Sequence, residues 1–421
     1  MASGGPDFPL ADPPRLRAVE VVPVRDRGGS YVVLRDPADG ELEPIALADG
    51  ALDVLRLLDG QRSIAAIGIA LRLRGANLSE SQLRGFLQHL DEAGYLDGPR
   101  ARQRLETRRK AFAERPERPA VHAGGAYPDG AALPPFLAAG YVASDGPGSL
   151  PGPRDPTLAP PRGLIAPHVD LHRGAPTYSW AYKTLAEAAP ADLYVVLGTC
   201  HTPVEGSFAA SSRPYATPLG AVPTDLNFLE RLGRGWGRDL FHGEFAHANE
   251  HSIEFQTVYL RSLGLAGADA APMVAVLCDS LHALVLPPHS PRDVAVVADF
   301  VAALRQTIAE DGRPTTIIAA VDLAHIGPRF GDRWHVDGNQ LARVKREDEA
   351  MLALALRPDA EAYYRDVMRD QDARRICGFT PIYLLAELMQ AEQRPGMLLR
   401  YTQWLAEDRS SSVTFASAVY R

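Results

Sequence analysis

The chain has 421 residues, enough for two or three domains, and 46% of them are apolar, the proportion of a globular protein with a full core. A formal net charge of −8 and the lack of long basic runs exclude the concentrated positive charge that non-specific nucleic-acid binding needs. Cys200, Cys278 and Cys377 are an odd and sparse set that does not read as a disulfide framework. No apolar run reaches the roughly 18 residues of a membrane span, and Met1–Pro14 lacks the basic-then-apolar order of a signal peptide, so a cytoplasmic protein without membrane contact is expected.

Residues 1–14, rich in Pro, Gly and Asp, are expected to form a disordered tail. Tyr31–Arg35 and Glu41–Leu47 read as two strands around Asp36-Pro37-Ala38-Asp39-Gly40, a turn sequence. Three helical patterns follow. Asp49–Leu58 stops near Asp59-Gly60. Ser63 caps Ile64–Leu73, and Ser79-Glu80-Ser81-Gln82 is a capping-box pattern opening Gln82–Ala93, closed by Gly94. Tyr95-Leu96 then suggests a short strand or wing, so residues 15–100 predict a small winged-helix-like domain. Residues 1–100 hold 11 arginines against 15 acids, and the last helix offers phosphate only Arg84, which argues against DNA reading. With its helix order and the run Leu90-Asp91-Glu92-Ala93-Gly94-Tyr95-Leu96-Asp97-Gly98, the stretch from Val21 to Gly98 resembles the PqqD-like modules that bind leader peptides. The resemblance implies peptide binding; a plain helical accessory domain is the alternative.

Residues 101–118 are charged and mildly helical and read as a linker helix ending at Pro119. Residues 143–162, rich in Gly and Pro, read as a surface loop. From Gly163 onward, apolar runs alternate with helical patterns. Expected strands are Gly163–Ala166, Leu193–Leu197, Met273–Leu277, Thr316–Val321, Pro395–Tyr401 and Val413–Val419. Expected helices are Tyr178–Ala188, Ile253–Leu263, Asp293–Glu310, Asn339–Ala355 and Thr380–Ala391. This alternation predicts, over 119–421, an α/β domain with a mostly parallel sheet sandwiched by helices.

Three of the apolar runs end in the same way. Leu164–Ala166 passes through Pro167 to His168, Leu193–Leu197 runs into His201, and Thr316–Val321 runs into Asp322 and His325. Open α/β sheets keep their ligands at the carboxyl ends of their strands, so one site built from three strand tips is expected. Imidazole is the usual nitrogen ligand for zinc, iron and copper, and His168 and His201, at the matched ends of two strands expected to be neighbours, suit a shared ion. His172 is placed in the loop. Glu250 and His251, at a helix entrance capped by Ser252, suit outer hydrogen bonding or proton transfer, while Glu254 fits the positive end of that helix. Asp322 and His325, three apart, share a side if a helical turn begins there, with Asp322 orienting the imidazole. Cys377-Gly378 precedes a helix, whose N-terminus would lower the thiol pKa and favour the metal-binding thiolate.

In this order the motifs resemble the Memo family. They are His122-Ala123-Gly124, Ala166-Pro167-His168, Leu197-Gly198 with His201, Glu250-His251-Ser252-Ile253-Glu254, Asp322 with His325, and Cys377-Gly378. They span Pro119 to Tyr420. The resemblance implies the α/β fold of class III extradiol dioxygenases, which are non-haem iron enzymes. It also implies a metal held by two histidines and a cysteine, matching His168, His201 and Cys377, with His325 as acid–base. Bacterial members are called AmmeMemoRadiSam system protein B, which implies a radical-SAM protein among the partners. The sequence departs from the family's His-Ala-Gly-Tyr after Ala-Pro: it has His168-Val169-Asp170-Leu171-His172-Arg173-Gly174, adding the charges of Asp170 and Arg173 at the site mouth.

The expected function is a metal-dependent redox enzyme with iron(II), or copper, on His168, His201 and Cys377. His325, oriented by Asp322, would move protons, with Glu250 and His251 as supports. A non-enzymatic metal- or peptide-binding scaffold and a zinc hydrolase are the alternatives.

Overall fold

The computed structural model describes residues 9–26, 29–36, 42–76, 78–282, 284–285 and 289–421. The first eight residues of the expected tail, most of the turn at 36–40 and Glu41 lie outside them. The chain divides into two compact units, Met1–Arg115 and Pro116–Arg421.

The first unit carries an antiparallel sheet of β1 (Glu20–Asp26), β2 (Gly29–Arg35) and β3 (Ile45–Ala48), in the order β1-β2-β3. Four helices follow: α1 (Ala51–Leu55), α2 (Ile64–Leu73), α3 (Glu80–Glu92) and α4 (Pro99–Ala113). β1 was not anticipated because Pro23 interrupts its apolar pattern. Among the described residues it pairs only with β2, and an edge strand tolerates a residue without an N–H. The two caps form as expected. Ser63 Oγ accepts from Ala66 N at 3.2 Å, and Ser79 and Gln82 close a reciprocal capping box at 3.2 and 2.9 Å. The helix expected over 49–58 shortens to α1. At Leu96, a single antiparallel bridge to Leu16 stands where a wing was expected. Val32, Leu34, Ile67, Leu87, Leu90 and Tyr95 fill the core.

The second unit contains, in chain order, α5 (Leu133–Val142), β4 (Gly163–Ala166), α6 (Leu171–Ala186), β5 (Leu193–Thr199), β6 (Phe208–Ala210), α7 (Leu226–Trp236), α8 (Ser252–Ser262), β7 (Met273–Cys278), α9 (Ala295–Asp311), β8 (Thr315–Ala320), β9 (His325–Ile326), α10 (Gly338–Leu356), α11 (Ala360–Met368), α12 (Phe379–Ala391), β10 (Gly396–Leu405) and β11 (Ser412–Tyr420). The sheet order is β10-β11-β4-β8-β5-β7-β6, with β9 on β11. The sheet is mixed, not mostly parallel. β4, β8, β5 and β7 form a parallel centre, and the pairings of β10, β11, β9 and β6 are antiparallel. The sequence pattern could not separate the two kinds of pairing. β11 is buried on both faces, so it lacks the alternation of apolar and exposed polar residues that marks a half-solvated antiparallel strand.

Alternate residues of the central strands feed two cores. Ile165, Val195 and Ile317 pack beneath α7, α9 and α12, while Leu164, Val196 and Ile318 pack against α6 and α8. Strand order also corrects one expectation. β4 and β5 are not neighbours, because β8 lies between them, so His168 and His201 flank the strand that delivers Asp322. No helix among the described residues is long and apolar enough to cross a membrane.

One buried ion pair fixes the entrance of α8. Arg118, fully buried, pairs with Glu254 through Nη1, which also donates to the Pro119 carbonyl, while Nε and Nη2 donate to the carbonyls of His247 and Glu250. Glu254 also accepts from His122 N at 3.0 Å and from the Tyr127 hydroxyl. Glu254 therefore answers a buried cation, not the helix dipole as expected, and Arg118 belongs to the α/β unit rather than to the linker. Removing one member of such a pair strands the other charge in a dry interior. Arg118→Ala is expected to lower stability by about 3–5 kcal/mol. Urea unfolding would measure it, and a loss under about 1 kcal/mol would show that the pair does not hold this entrance.

Candidate metal centre

Four parallel strands end on one edge of the sheet, and the next few residues of each reach one place. His168 follows β4, His201 follows β5, Asp322 follows β8 and Ser280 follows β7. Two glycines allow the closest approaches. A Cβ on Gly198 would lie 2.5 Å from Ile253 Cγ1 and 2.6 Å from Ser252 Oγ, so only glycine lets β5 meet the start of α8. A Cβ on Gly378 would lie 2.5 Å from Val321 Cβ and 2.6 Å from the Asp322 carbonyl oxygen. That second contact sets Cys377 against the tip of β8.

The histidine rings then converge. The centroids of His168 and His201 are 5.1 Å apart, those of His168 and His251 are 5.2 Å, and those of His201 and His251 are 4.8 Å. One ligand atom from each of these three side chains lies within 4.8 Å of the others. Cys377 Sγ is 3.3 Å from His168 Nε2. Donors sharing one ion at ordinary N and S bond lengths sit roughly 3–3.5 Å apart, so the thiol fits an ion shared with His168, although it is not part of the group that the three imidazoles form. His251, expected as an outer support, stands among the rings instead. Its position after Glu250 gave no strand-tip signal, and only the fold of the α8 entrance brings it in.

Each ring meets an acceptor at the same atom. His168 Nδ1 lies 3.1 Å from the Ala320 carbonyl oxygen, His201 Nδ1 is 3.1 Å from both Glu250 carboxylate oxygens, and His251 Nδ1 is 3.2 Å from Glu250 Oε1. For His168 and His201 these contacts are hydrogen bonds, and an acceptor at Nδ1 keeps the proton there and leaves the Nε2 lone pair free, the tautomer a metal ligand needs; His251 is within ion-pair distance of Glu250 without a ring hydrogen bond to it. Glu250 does more than expected. It also accepts from the backbone N–H groups of His201, His251 and Ser252 at 2.9, 2.9 and 3.0 Å, so it caps α8 in place of Ser252. The Ser252 hydroxyl donates instead to the Thr199 carbonyl at 2.8 Å.

Burial sets the protonation states. It pushes His168 down to about 3, helped by His201, so this imidazole is neutral at physiological pH. Burial likewise holds His251 well below its usual value against the pull of Glu250. For His201 the Glu250 carboxylate outweighs burial and raises the pKa. Burial opposes ionisation of Glu250 too, yet His201, His251 and the backbone donors hold it well below the usual carboxylate range. Burial lifts the Cys377 thiol well above its ordinary value, and Asp322 adds to this. The thiol-lowering expected of the α12 N-terminus is therefore overridden without a cation present.

Asp322 and His325 are close but do not form the expected dyad. Asp322 Oδ1 accepts from the backbone N–H groups of His168 and Val169 at 3.0 and 3.1 Å, and burial raises its pKa to about 6. His325 stands on β9, not in a helical turn, and the Leu323 and Arg375 carbonyls engage its Nδ1 at 3.0 and 3.2 Å. Those carbonyls, not Asp322, orient it. His172 lies in the first turn of α6, exposed, with its ring edge on Phe136. Asp170 caps that helix, and Arg173 pairs with Asp170 at 3.1 Å and lies 4.1 Å over the Trp404 ring. Both charges are thus tied into local structure. A cavity of 480 Å³ opens beside the cluster, lined among others by His201, His325, Cys377, Arg375, Phe330 and Phe379.

The sequence profile of the family described as Memo-like protein matches residues 118–419, nearly all of the second unit. A MEMO1 family protein of Aquifex aeolicus is 27% identical over 409 residues, covering 97% of this chain and 99% of its own length. MEMO1 family proteins of Thermus thermophilus and Methanopyrus kandleri are 28% and 29% identical, over 61% and 66% of this chain and 69% and 88% of theirs. With the profile covering nearly all of the second unit and every residue of the histidine cluster, the chain belongs to the Memo-like protein family.

Proposed function

We propose that the protein is a metal-dependent redox enzyme whose ion, iron(II) or copper, is held by His168, His201 and Cys377, with His251 as a further or competing ligand. One observation carries the reading. Three imidazoles cluster beside a 480 Å³ cavity, two of them hydrogen-bonded at Nδ1, and the Cys377 thiol lies 3.3 Å from the Nε2 of one, His168. Imidazole with a soft thiolate suits iron or copper better than magnesium or calcium. When bound, such an ion supplies redox and Lewis-acid chemistry to a ligand in the cavity.

The chain's own residues do the rest. Glu250 orients His201 and His251. His325, with the proton on Nδ1 pinned by two carbonyls, offers the Nε2 lone pair as a proton acceptor at the cavity wall. Phe330 and Phe379 give the cavity apolar walls that hold back water. Radical-SAM partners of the AmmeMemoRadiSam kind belong to this reading as reductive company. A zinc hydrolase is the second reading, favoured by one observation: the three imidazoles by themselves make the donor set of hydrolytic zinc sites.

Thiolate ligation separates the two. Binding of a divalent metal displaces the thiol proton, so titration calorimetry in buffers of different ionisation enthalpy is expected to show about one proton fewer released by Cys377→Ala than by the native protein. An unchanged proton count would remove Cys377 from the ligand set and favour the zinc reading. His168→Ala, purified without oxygen, is expected to lose stoichiometric metal by elemental analysis; full retention would contradict the assignment. Glu250→Gln keeps the shape but weakens the acceptor, and metal affinity is expected to fall about 10–100-fold. A change under about twofold would leave Glu250 only a structural role.

A further inference from the structure

The wall of the cavity contributed by β7 holds a second chemical array that the metal reading does not use. Ser280 follows the tip of β7 and is exposed. Its hydroxyl lies 2.7 Å from His282 Nδ1, and His282 Nε2 lies 2.8 Å from Asp372 Oδ2. The Asp372 side chain is 5% exposed, and its two oxygens also lie 2.9 and 3.0 Å from the Ile376 N–H. All three residues line the cavity.

The hydrogen-bond roles follow from the partners. The Asp372 carboxylate accepts from the Ile376 amide and from His282, so the imidazole proton sits on Nε2. The Nδ1 lone pair then faces Ser280, and the hydroxyl is left as the donor. An imidazole with one nitrogen held on a carboxylate and the other on a hydroxyl is the arrangement that activates a serine, recognised by roles and not by chain order. Here the two ring nitrogens exchange their usual places, which alters neither role.

The backbone supports the same place. Gln371, Asp372 and Arg375 adopt left-handed conformations with φ of +58°, +52° and +56°, rare for residues with a Cβ. Three such residues in five, all lining one cavity, mark strain held at a functional position.

We propose that Asp372, His282 and Ser280 form a nucleophile relay, and that Ser280 attacks ester-class acyl or phosphoryl groups entering the cavity. In the first step, the Ser280 Oγ–C bond forms as the hydroxyl proton passes to His282 Nδ1. The bond from the carbonyl carbon to the leaving oxygen breaks, and that oxygen takes the proton from Nδ1. Water repeats the sequence and frees Ser280, so an ester and water give an acid and an alcohol with no change in oxidation state. The relay shares the cavity with the histidine cluster but uses none of its residues, so either can fail alone.

The test uses the full chain in EDTA-containing buffer with a fluorophosphonate, whose P–F bond breaks as the Oγ–P bond forms. Peptide mass spectrometry is expected to map one adduct to Ser280, absent in Ser280→Ala. The labelling rate is expected to fall roughly 10²-fold or more in His282→Gln and in Asp372→Asn. If either variant fails to fold by circular dichroism, the other carries that comparison, and the native adduct map stands without both. No adduct at Ser280, an adduct spread over other exposed serines such as Ser81, or a Ser280 rate indifferent to His282 and Asp372 would overturn the proposal.

Discussion

The acceptor at each Nδ1 is the constraint from which the centre takes its form. A histidine left to itself divides its proton between two nitrogens and turns about its side-chain bonds. Here the Ala320 carbonyl holds His168, the Glu250 carboxylate engages His201 and His251, and the Leu323 and Arg375 carbonyls hold His325. Where that contact is a hydrogen bond, at His168, His201 and His325, the proton stays on Nδ1 and Nε2 is left with the lone pair. Two of the acceptors come directly from strand β8 and the turn after it, so the sheet edge that supplies the site also sets its tautomers.

The same geometry explains how so many polar groups stay buried. His168, Glu250 and Asp322 are all within a few per cent of full burial. Glu250 can remain charged because four donors converge on its two oxygens, and its charge is what keeps His201 basic. Behind it, Arg118 and Glu254 neutralise one another and fix the helix entrance from below. A loosened Arg118 would move the Glu250 carbonyl first, and through Glu250 two rings at once.

Much of this was legible in the sequence. The apolar runs ending at His168, His201 and Asp322 marked three strand tips because a strand buried on both faces has no polar interruptions. Gly198 and Gly378 were visible as motif residues, and the structure gives their reason as close approach. The membership of His251 and the relay of Ser280 with Asp372 were not legible. Each depends on segments 50 to 90 residues apart meeting across a strand order that periodicity does not encode. Pairing direction was hidden likewise, since burial and not polarity decides how β11 reads. The thiol of Cys377 was misjudged because sequence shows a helix start but not the desolvation that outweighs its dipole.

The central claim is that one ion joins imidazole nitrogens from two separate strand ends to the sulfur before α12. X-ray absorption at the metal edge of the loaded protein tests it most directly. The account predicts a single site with at least two imidazole nitrogens and one sulfur in the inner shell. A shell of light oxygen donors without imidazole or sulfur would contradict it.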